Sequence, residues 1–343
     1  MARIDELKEE ARRLLREGKV KYVIGYATGT NGWSASPAFV GTPAEVDRLV
    51  WDPTCVHNLT KFLVDEKRRK GRSRKPDTRP VGLFVKGCDS RAVVVLLQEK
   101  FISRDDVYLL GVSCEKGGVV DDRKLAAKLG GRKPLRVGLG DDGLFIVTTA
   151  EGDLSIPAGD LLADRCLECR ANFPVLSDKL AGDKVKRAVE QPYGSVEKLE
   201  KLSAAERFAF WREQLGKCIR CYACRSVCPM CYCDECVVDS ISLAVAPDTS
   251  AEEKAQRIKW LQRSAESSEN FVYHFVRAMH LAGRCVDCGE CERVCPMDIP
   301  LRFLNKKLEK EARELFGYEA GFDADLPALI ACFRDEDPQD FIR

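Results

Sequence analysis

Histidine is scarce in this 343-residue chain: there are three, His57, His274 and His280. No Ser/His/Asp constellation or catalytic carboxylate pair is read from the sequence. His274 and His280 fall in a long helical tract and read as surface or packing residues. His57, close behind Cys55, could line a cofactor pocket. No G-x-G-x-x-G run follows a strand pattern, so the dinucleotide fingerprint is missing. No apolar run approaches the ~20 residues of a spanning helix. The N-terminal MARIDELKEEARRLLREG is charged and has no apolar signal region, which predicts a soluble, cytoplasmic protein. Charge of one sign is lacking too: 55 Lys+Arg face 54 Asp+Glu, a net charge of +1. No general polyanion-binding field follows, and no nucleic-acid partner is expected.

Cysteine is what the chain has in excess. There are 17, most of them at spacings of two and three. A small secreted protein would use them for disulfides; a long chain without a signal region points to metal ligation. Two runs stand out: Cys218-x2-Cys221-x2-Cys224-x3-Cys228-Pro229 and Cys285-x2-Cys288-x2-Cys291-x3-Cys295-Pro296. This is the ferredoxin pattern, in which three cysteines wrap one [4Fe–4S] cluster and the fourth ligates the other. Two intervening residues let consecutive thiolates converge on one cube. Three residues and a proline then turn the chain toward the neighbour. The rule assigns Cys218, Cys221, Cys224 and Cys295 to one cluster, and Cys285, Cys288, Cys291 and Cys228 to the other. A zinc ribbon or structural thiols would not call for two complete copies. The helical tract between the copies suggests the helical type of dicluster module.

The fold class expected is an α/β domain, a mixed sheet with flanking helices, followed by a mostly helical dicluster domain. Residues 3–17 suit an amphipathic helix with Ile4, Leu7, Ala11, Leu14 and Leu15 on one side. Val20–Ala27 reads as a strand and Thr28–Pro37 as a loop. The basic KRRKGRSRKPDTRP stretch reads as an exposed connection, with docking to an acidic partner as its other use. Val81–Lys86 and Val107–Val112 are strands, each followed by a cysteine loop and a helix, which implies a parallel or mixed sheet. Residues 135–158 suggest two strands joined at Asp141-Asp142-Gly143. Ser203 and Glu206 form a capping box for the helix that follows. The expected domains are 1–190, 203–320, and a tail over 321–343.

Cys88 and Cys114 lie in the strand–helix loops, with Cys166 and Cys169 following the hairpin. Loops at the C-terminal ends of neighbouring strands converge in open α/β sheets. Four such thiols suit a third cluster; a lone Cys-x2-Cys could equally be redox-active or bind zinc. Cys231, Cys233 and Cys236 follow the first ferredoxin run. With Cys55 they could complete a fourth cluster, replace ligands of the third, or be partly buried free thiols. Cys332 reads as a core thiol.

The α/β part resembles the beta subunits of deazaflavin-reducing hydrogenase and of related formate dehydrogenases. The segments that carry this are VGLFVKGCDSRAVVVLLQ, LLGVSCEKGG and DRCLECR, over roughly residues 20–180; the dicluster module matches the longer formate-dehydrogenase-like members. The resemblance implies an iron–sulfur electron-transfer beta subunit of an anaerobic oxidoreductase complex. FAD would sit in the α/β domain beside a proximal cluster, converting hydride chemistry to single electrons. Candidate flavin contacts are Thr28, Gly29, Thr30, Asn31 and Gly32, with Lys86 and Arg91 offsetting pyrophosphate charge. Implied partners are a molybdenum or tungsten formate dehydrogenase, a hydrogenase or a heterodisulfide-reductase-like assembly, with deazaflavin, NAD(P) or ferredoxin as external carrier. The alternative is a flavin-free relay that wires two redox partners together.

Overall fold

The computed structural model describes residues 2–114, 117–140, 142–184, 186–234, 236, 238, 248–256, 261 and 264–332. They form two compact units. The first comprises Met1–Pro192 with the returning segment Ala320–Ala331; the second is built on Tyr193–Glu319. Among the described residues no helix is long and apolar enough to cross a membrane.

The first unit holds two sheets. Its strands are β1 (Val23–Thr28), β2 (Ala35–Val40), β3 (Val81–Val85), β4 (Val107–Val112), β5 (Pro134–Leu139), β6 (Leu144–Thr149), β7 (Gly152–Pro157) and β8 (Lys179–Ala181). The main sheet is mixed, in the order β2-β1-β3-β4-β8, with β1 and β2 antiparallel and the remaining pairs parallel. All five residues of β3 are buried, as a central parallel strand covered on both faces requires. Helix α1 (Ala2–Arg16) buries Leu7, Ala11 and Leu14, spaced four and three apart on one stripe. Helices α2 (Lys61–Arg72), α3 (Gly87–Gln98) and α4 (Asp122–Leu129) accompany the strands, with two short turns, α5 (Ala158–Leu161) and α6 (Asp164–Leu167), before the Cys-x2-Cys.

Three local expectations are corrected. Residues 134–157 make three antiparallel strands: a second turn at Ala150-Glu151 brings β7 back onto β6. Phe145, Val147, Val137 and Ile156 of this small sheet pack with Leu125 and Leu129 of α4. The loop after β1 is shorter than expected, because Ala35, Ser36 and Pro37 pair with Thr28, Ala27 and Tyr26. The basic stretch begins inside α2, where Arg69, Lys70 and Arg72 occupy the last turn and complement the negative end of the helix.

The second unit contains helices α7 (Gly194–Glu200), α8 (Ala204–Gly216), α9 (Ala223–Ser226), α10 (Ala251–Gln256), α11 (Ser267–His280), α12 (Glu290–Arg293) and α13 (Leu301–Phe316). The Ser203–Glu206 capping box starts α8. The tract expected to be helical over 250–282 is two helices: Glu266 is extended at the entry to α11, and residues 257–260, 262 and 263 lie outside the described ones.

Candidate metal centres

The two ferredoxin runs fold as copies of one backbone. Helix α8 ends at Gly216, and the Cys218 amide closes onto Leu215. The chain then takes left-handed conformations at Arg220 and Tyr222 before α9 presents Cys224. In the second run Asp287 and Gly289 take the same conformations, and α12 presents Cys291. Only one of the four residues is glycine, so the wrap is held against a local cost of about 1 kcal/mol or more at each of the others. Its result is that amides turn inward. The Arg220 N–H donates to Cys218 Sγ at 3.4 Å, and the Asp287 N–H donates to the Cys285 sulfur. Such bonds favour thiolates and tune clusters.

Two helices clamp these runs. On α11, Asn270 Nδ2 donates to the carbonyls of Leu215 (3.1 Å) and Cys218 (2.9 Å). Tyr273 Oη lies 4.0 Å from Cys224 Sγ, and Arg277 Nη2 donates to the Cys224 carbonyl at 3.0 Å. Positions 270, 273, 274 and 277 form one buried polar stripe on an otherwise apolar helix face. On α13, Asn305 Nδ2 approaches Cys291 Sγ at 3.8 Å. Arg302 grips Asp287 with two bonds, of 2.6 and 2.9 Å, and Lys306 adds a third at 2.9 Å. Burial alone would raise the Asp287 carboxyl, but Arg302 and Lys306 hold it well below the ordinary carboxylate range.

Cys295 lies within electrostatic reach of Cys218 and Cys224, Cys291 of Cys224, and Cys288 of Cys285. Cys231 contacts Cys228 and Arg277. Cys233 and Cys221 are exposed, and Cys236 is half-buried against the core of this unit.

In the first unit three loops meet. Cys88 stands in the first turn of α3, Cys114 two residues past β4, and Cys166 and Cys169 on and just after α6. The segment 171–173 lies so close over the start of α3 that a Cβ at Gly87 would overlap the Ala171 carbonyl. The Cys114 N–H donates to the Asn172 carbonyl at 2.6 Å. Val119 N–H reaches Cys166 Sγ at 3.5 Å, and Ala171 N–H reaches Cys169 Sγ at 3.4 Å. Burial, then Cys166 and Cys169, push the Cys114 thiol up to about 12. Cations surround the group: Lys86 and Arg165 act on Cys88, Arg91 and Arg187 on Cys169. Cys55 is fully buried nearby, within reach of Lys86 and Cys114, and accepts from the Asp52 N–H at 3.4 Å. Among the described residues no three Cys, His, Asp or Glu side chains converge as they would on one metal ion. A cubane gives each thiolate its own iron and so spaces its ligands more widely. The inward amides and the cationic shell fit such an anionic group.

A family model described as a 4Fe-4S dicluster domain matches residues 213–299. The F420-dependent formate dehydrogenase subunit beta of Methanocaldococcus jannaschii is 22% identical, over 92% of this chain and 91% of that protein. The F420-dependent formate dehydrogenase 1 subunit beta of Methanococcus maripaludis is 25% identical, over 92% and 90%. The chain is similar to these beta subunits along most of its length. Among solved structures, a chain of the F420-reducing [NiFe] hydrogenase complex from Methanosarcina barkeri aligns with a TM-score of 0.35 and 17% identity, over 49% of this chain and 64% of that one.

Of the expected flavin contacts, Lys86, Arg91, Asn31 and Gly29 hydrogen-bond within the protein. Lys86 is buried, pairs with Asp89 at 2.9 Å and donates to the His57 carbonyl at 2.7 Å and to Tyr26. Burial alone would depress its ammonium, but Asp89, Tyr26 and Cys88 raise it well above the lysine value. Arg91 Nε donates to the Ala320 carbonyl at 3.0 Å, with its guanidinium 4.2 Å from the Phe322 ring. Asn31 closes its own turn: Oδ1 accepts from Trp33 and Ser34, and Nδ2 donates to Ser34 Oγ at 2.7 Å. Thr28, Thr30 and Gly32 are exposed, and Gly29 closes on the Ser34 carbonyl. The sequence reading missed Arg165, Arg187, Asn270, Tyr273 and Arg277. No local pattern marks them, since each is defined by a distant cysteine.

Proposed function

We propose that the chain is the iron–sulfur relay subunit of an oxidoreductase complex, carrying single electrons between a catalytic partner and an external carrier. The observation that carries this is the repeated turn in which the amide two residues on donates to a cysteine sulfur: Cys169 with Ala171, Cys218 with Arg220, and Cys285 with Asp287. Three such turns support three cubanes. Cys218, Cys221, Cys224 and Cys295 would hold one, and Cys285, Cys288, Cys291 and Cys228 the second. Cys88, Cys114, Cys166 and Cys169 would hold the third. When bound, the clusters supply one-electron transfer without large rearrangement. The protein supplies thiols, amide donors and fixed cations.

The labour divides along the domains expected from the sequence, with the third cluster in 1–190 and the pair in a largely helical 203–320. The catalytic partner proposed is a formate dehydrogenase, as the relatives' names suggest, with deazaflavin the first external carrier to test. Engagement of Lys86 and Arg91 favours the flavin-free form of this relay. Cys231 belongs beside Cys228 and Arg277, in the surroundings of the pair.

Anaerobic purification with iron, sulfide and acid-released flavin analysis tests the reading. About twelve iron atoms, four per cube, with no flavin are expected. Colourless protein defeats it, and stoichiometric flavin defeats its flavin-free form.

A further inference from the structure

Arg277 is a buried cation with an unusual set of neighbours. It is 7% exposed, and its Nη2 donates to the Cys224 carbonyl at 3.0 Å. Among the described residues no carboxylate pairs with it, and its Nε has no hydrogen-bond partner. The groups that favour its charge are sulfurs: Cys224, Cys231, Cys228 and Cys291. They come from both ferredoxin runs and from the segment just after the first. Arg220, another buried guanidinium of this unit, acts on Cys218 of the first run.

A guanidinium is always charged, and burying one without a counter-charge is expensive. Free thiols do not supply that charge near pH 7, since their ordinary pKa is about 8.5. Thiolates bound to iron do. We infer that Arg277 is the shared counter-ion of the two C-terminal [4Fe–4S] clusters, a positioning residue that holds both anionic groups against α11 and raises the reduction potential of both. The inference rests on the dicluster reading above. Each one-electron reduction adds a negative charge to a cube, and a fixed cation in a low-dielectric site stabilises that reduced form. A charge placed between two cubes acts on both, which distinguishes this arrangement from a cation beside one.

The test uses the full chain, purified anaerobically, with Arg277→Gln and Arg277→Lys. Iron and sulfide are counted, and both clusters are titrated with a chemical reductant under mediators, followed by electron paramagnetic resonance. Arg277→Lys keeps the charge and should retain both clusters near their wild-type potentials. Arg277→Gln should shift the reduction equilibrium of both clusters tenfold or more toward the oxidised form, which is about 59 mV for a one-electron couple, or release iron from both together. The inference is overturned if Arg277→Gln leaves both potentials unchanged, if it affects one cluster alone, or if Arg277→Lys fails as badly as Arg277→Gln. Wild-type protein with about four iron atoms or fewer would instead defeat the dicluster reading itself.

Discussion

Arg220 and Asp287 hold the same position in two copies of one cysteine run, share a left-handed backbone with φ of +55° and +54°, and carry opposite charges. Both are buried, and the amide of each donates to the sulfur two residues earlier. The backbone role therefore fixes the conformation and leaves the side chain free to diverge. Arg220 lies 4.4 Å from the Tyr273 ring, while Asp287 is enclosed by Arg302 and Lys306. One wrapping geometry thus serves two different electrostatic surroundings.

Asp287 anchors the second run to α13, so Asp287→Asn should be costly. It leaves Arg302 and Lys306 without their shared carboxylate, and breaking a buried pair costs about 3–5 kcal/mol. Because the folded carboxyl is depressed, its contribution is present above the unfolded value of ~3.9 and is lost as pH falls below it. Denaturant unfolding at pH 7 should show the loss, with iron leaving the Cys285–Cys291 run first. An unchanged midpoint would remove the anchor from the account.

His274 should make stability pH-dependent in a milder range. Burial, then the charges of Arg277 and Arg220, hold its imidazole down to about 3. The unfolded chain, with a value near ~6.5, binds the extra proton, so stability is full above pH ~6.5 and declines as pH falls toward 3. The slope is at most about 1.4 kcal/mol per pH unit from this one group. His274→Gln should flatten the fall in unfolding midpoint between about pH 6.5 and 5. Identical profiles for variant and wild type would show that the imidazole is not buried neutral.

The crossed ligand has a direct test. Cys295 lies beside Cys218 and Cys224, so Cys295→Ala should damage the cluster of the first run although its own run is the second. Cys228→Ala should do the reverse. Each variant should keep the other cubane of the pair and lose about four of the roughly twelve iron atoms. Damage confined to each cysteine's own run would mean that the runs do not exchange ligands.

The cysteine runs were legible in the sequence because ligand spacing is local chemistry: two residues and a proline state the wrap. The main strands were legible for a similar reason, since VGLFV and VYLLGV are continuous apolar runs. Strand β7 was not, because the second strand was expected to run on to residue 158, and only the turn at Ala150-Glu151 and the pairing with β6 divide it. Lys86 was seen as a cation beside Cys88, but its partners Tyr26 and Asp89 are set by the sheet and by the first turn of α3. The polar stripe of α11 was hidden because Asn270, Tyr273 and Arg277 acquire meaning only from thiols and carbonyls some fifty residues earlier. The returning segment was read as a tail. It packs onto α3, where a Cβ at Gly321 would overlap the Arg91 carbonyl, so a fragment ending near residue 200 would lack part of the first unit.

The third cluster is best tested in the full chain without touching a cysteine. Gly118 has a φ of +134°, and a Cβ there would sit 2.6 Å from Cys166 Sγ and 2.7 Å from its Cβ. Gly118→Ala must therefore displace the thiol or turn the backbone, and either change removes the Val119 amide from the sulfur. The expected result is loss of about four iron atoms, with both C-terminal clusters still present. Gly143→Ala separates this from general strain. It also has a positive φ, +77°, but no atom lies within 4 Å of its Cβ position. That variant should bear a backbone cost of roughly 1 kcal/mol or more and keep its full iron content. If Gly118→Ala retains all its iron, or if Gly143→Ala loses the same share, Cys166 is not a ligand and the four-cysteine assignment of the first unit fails.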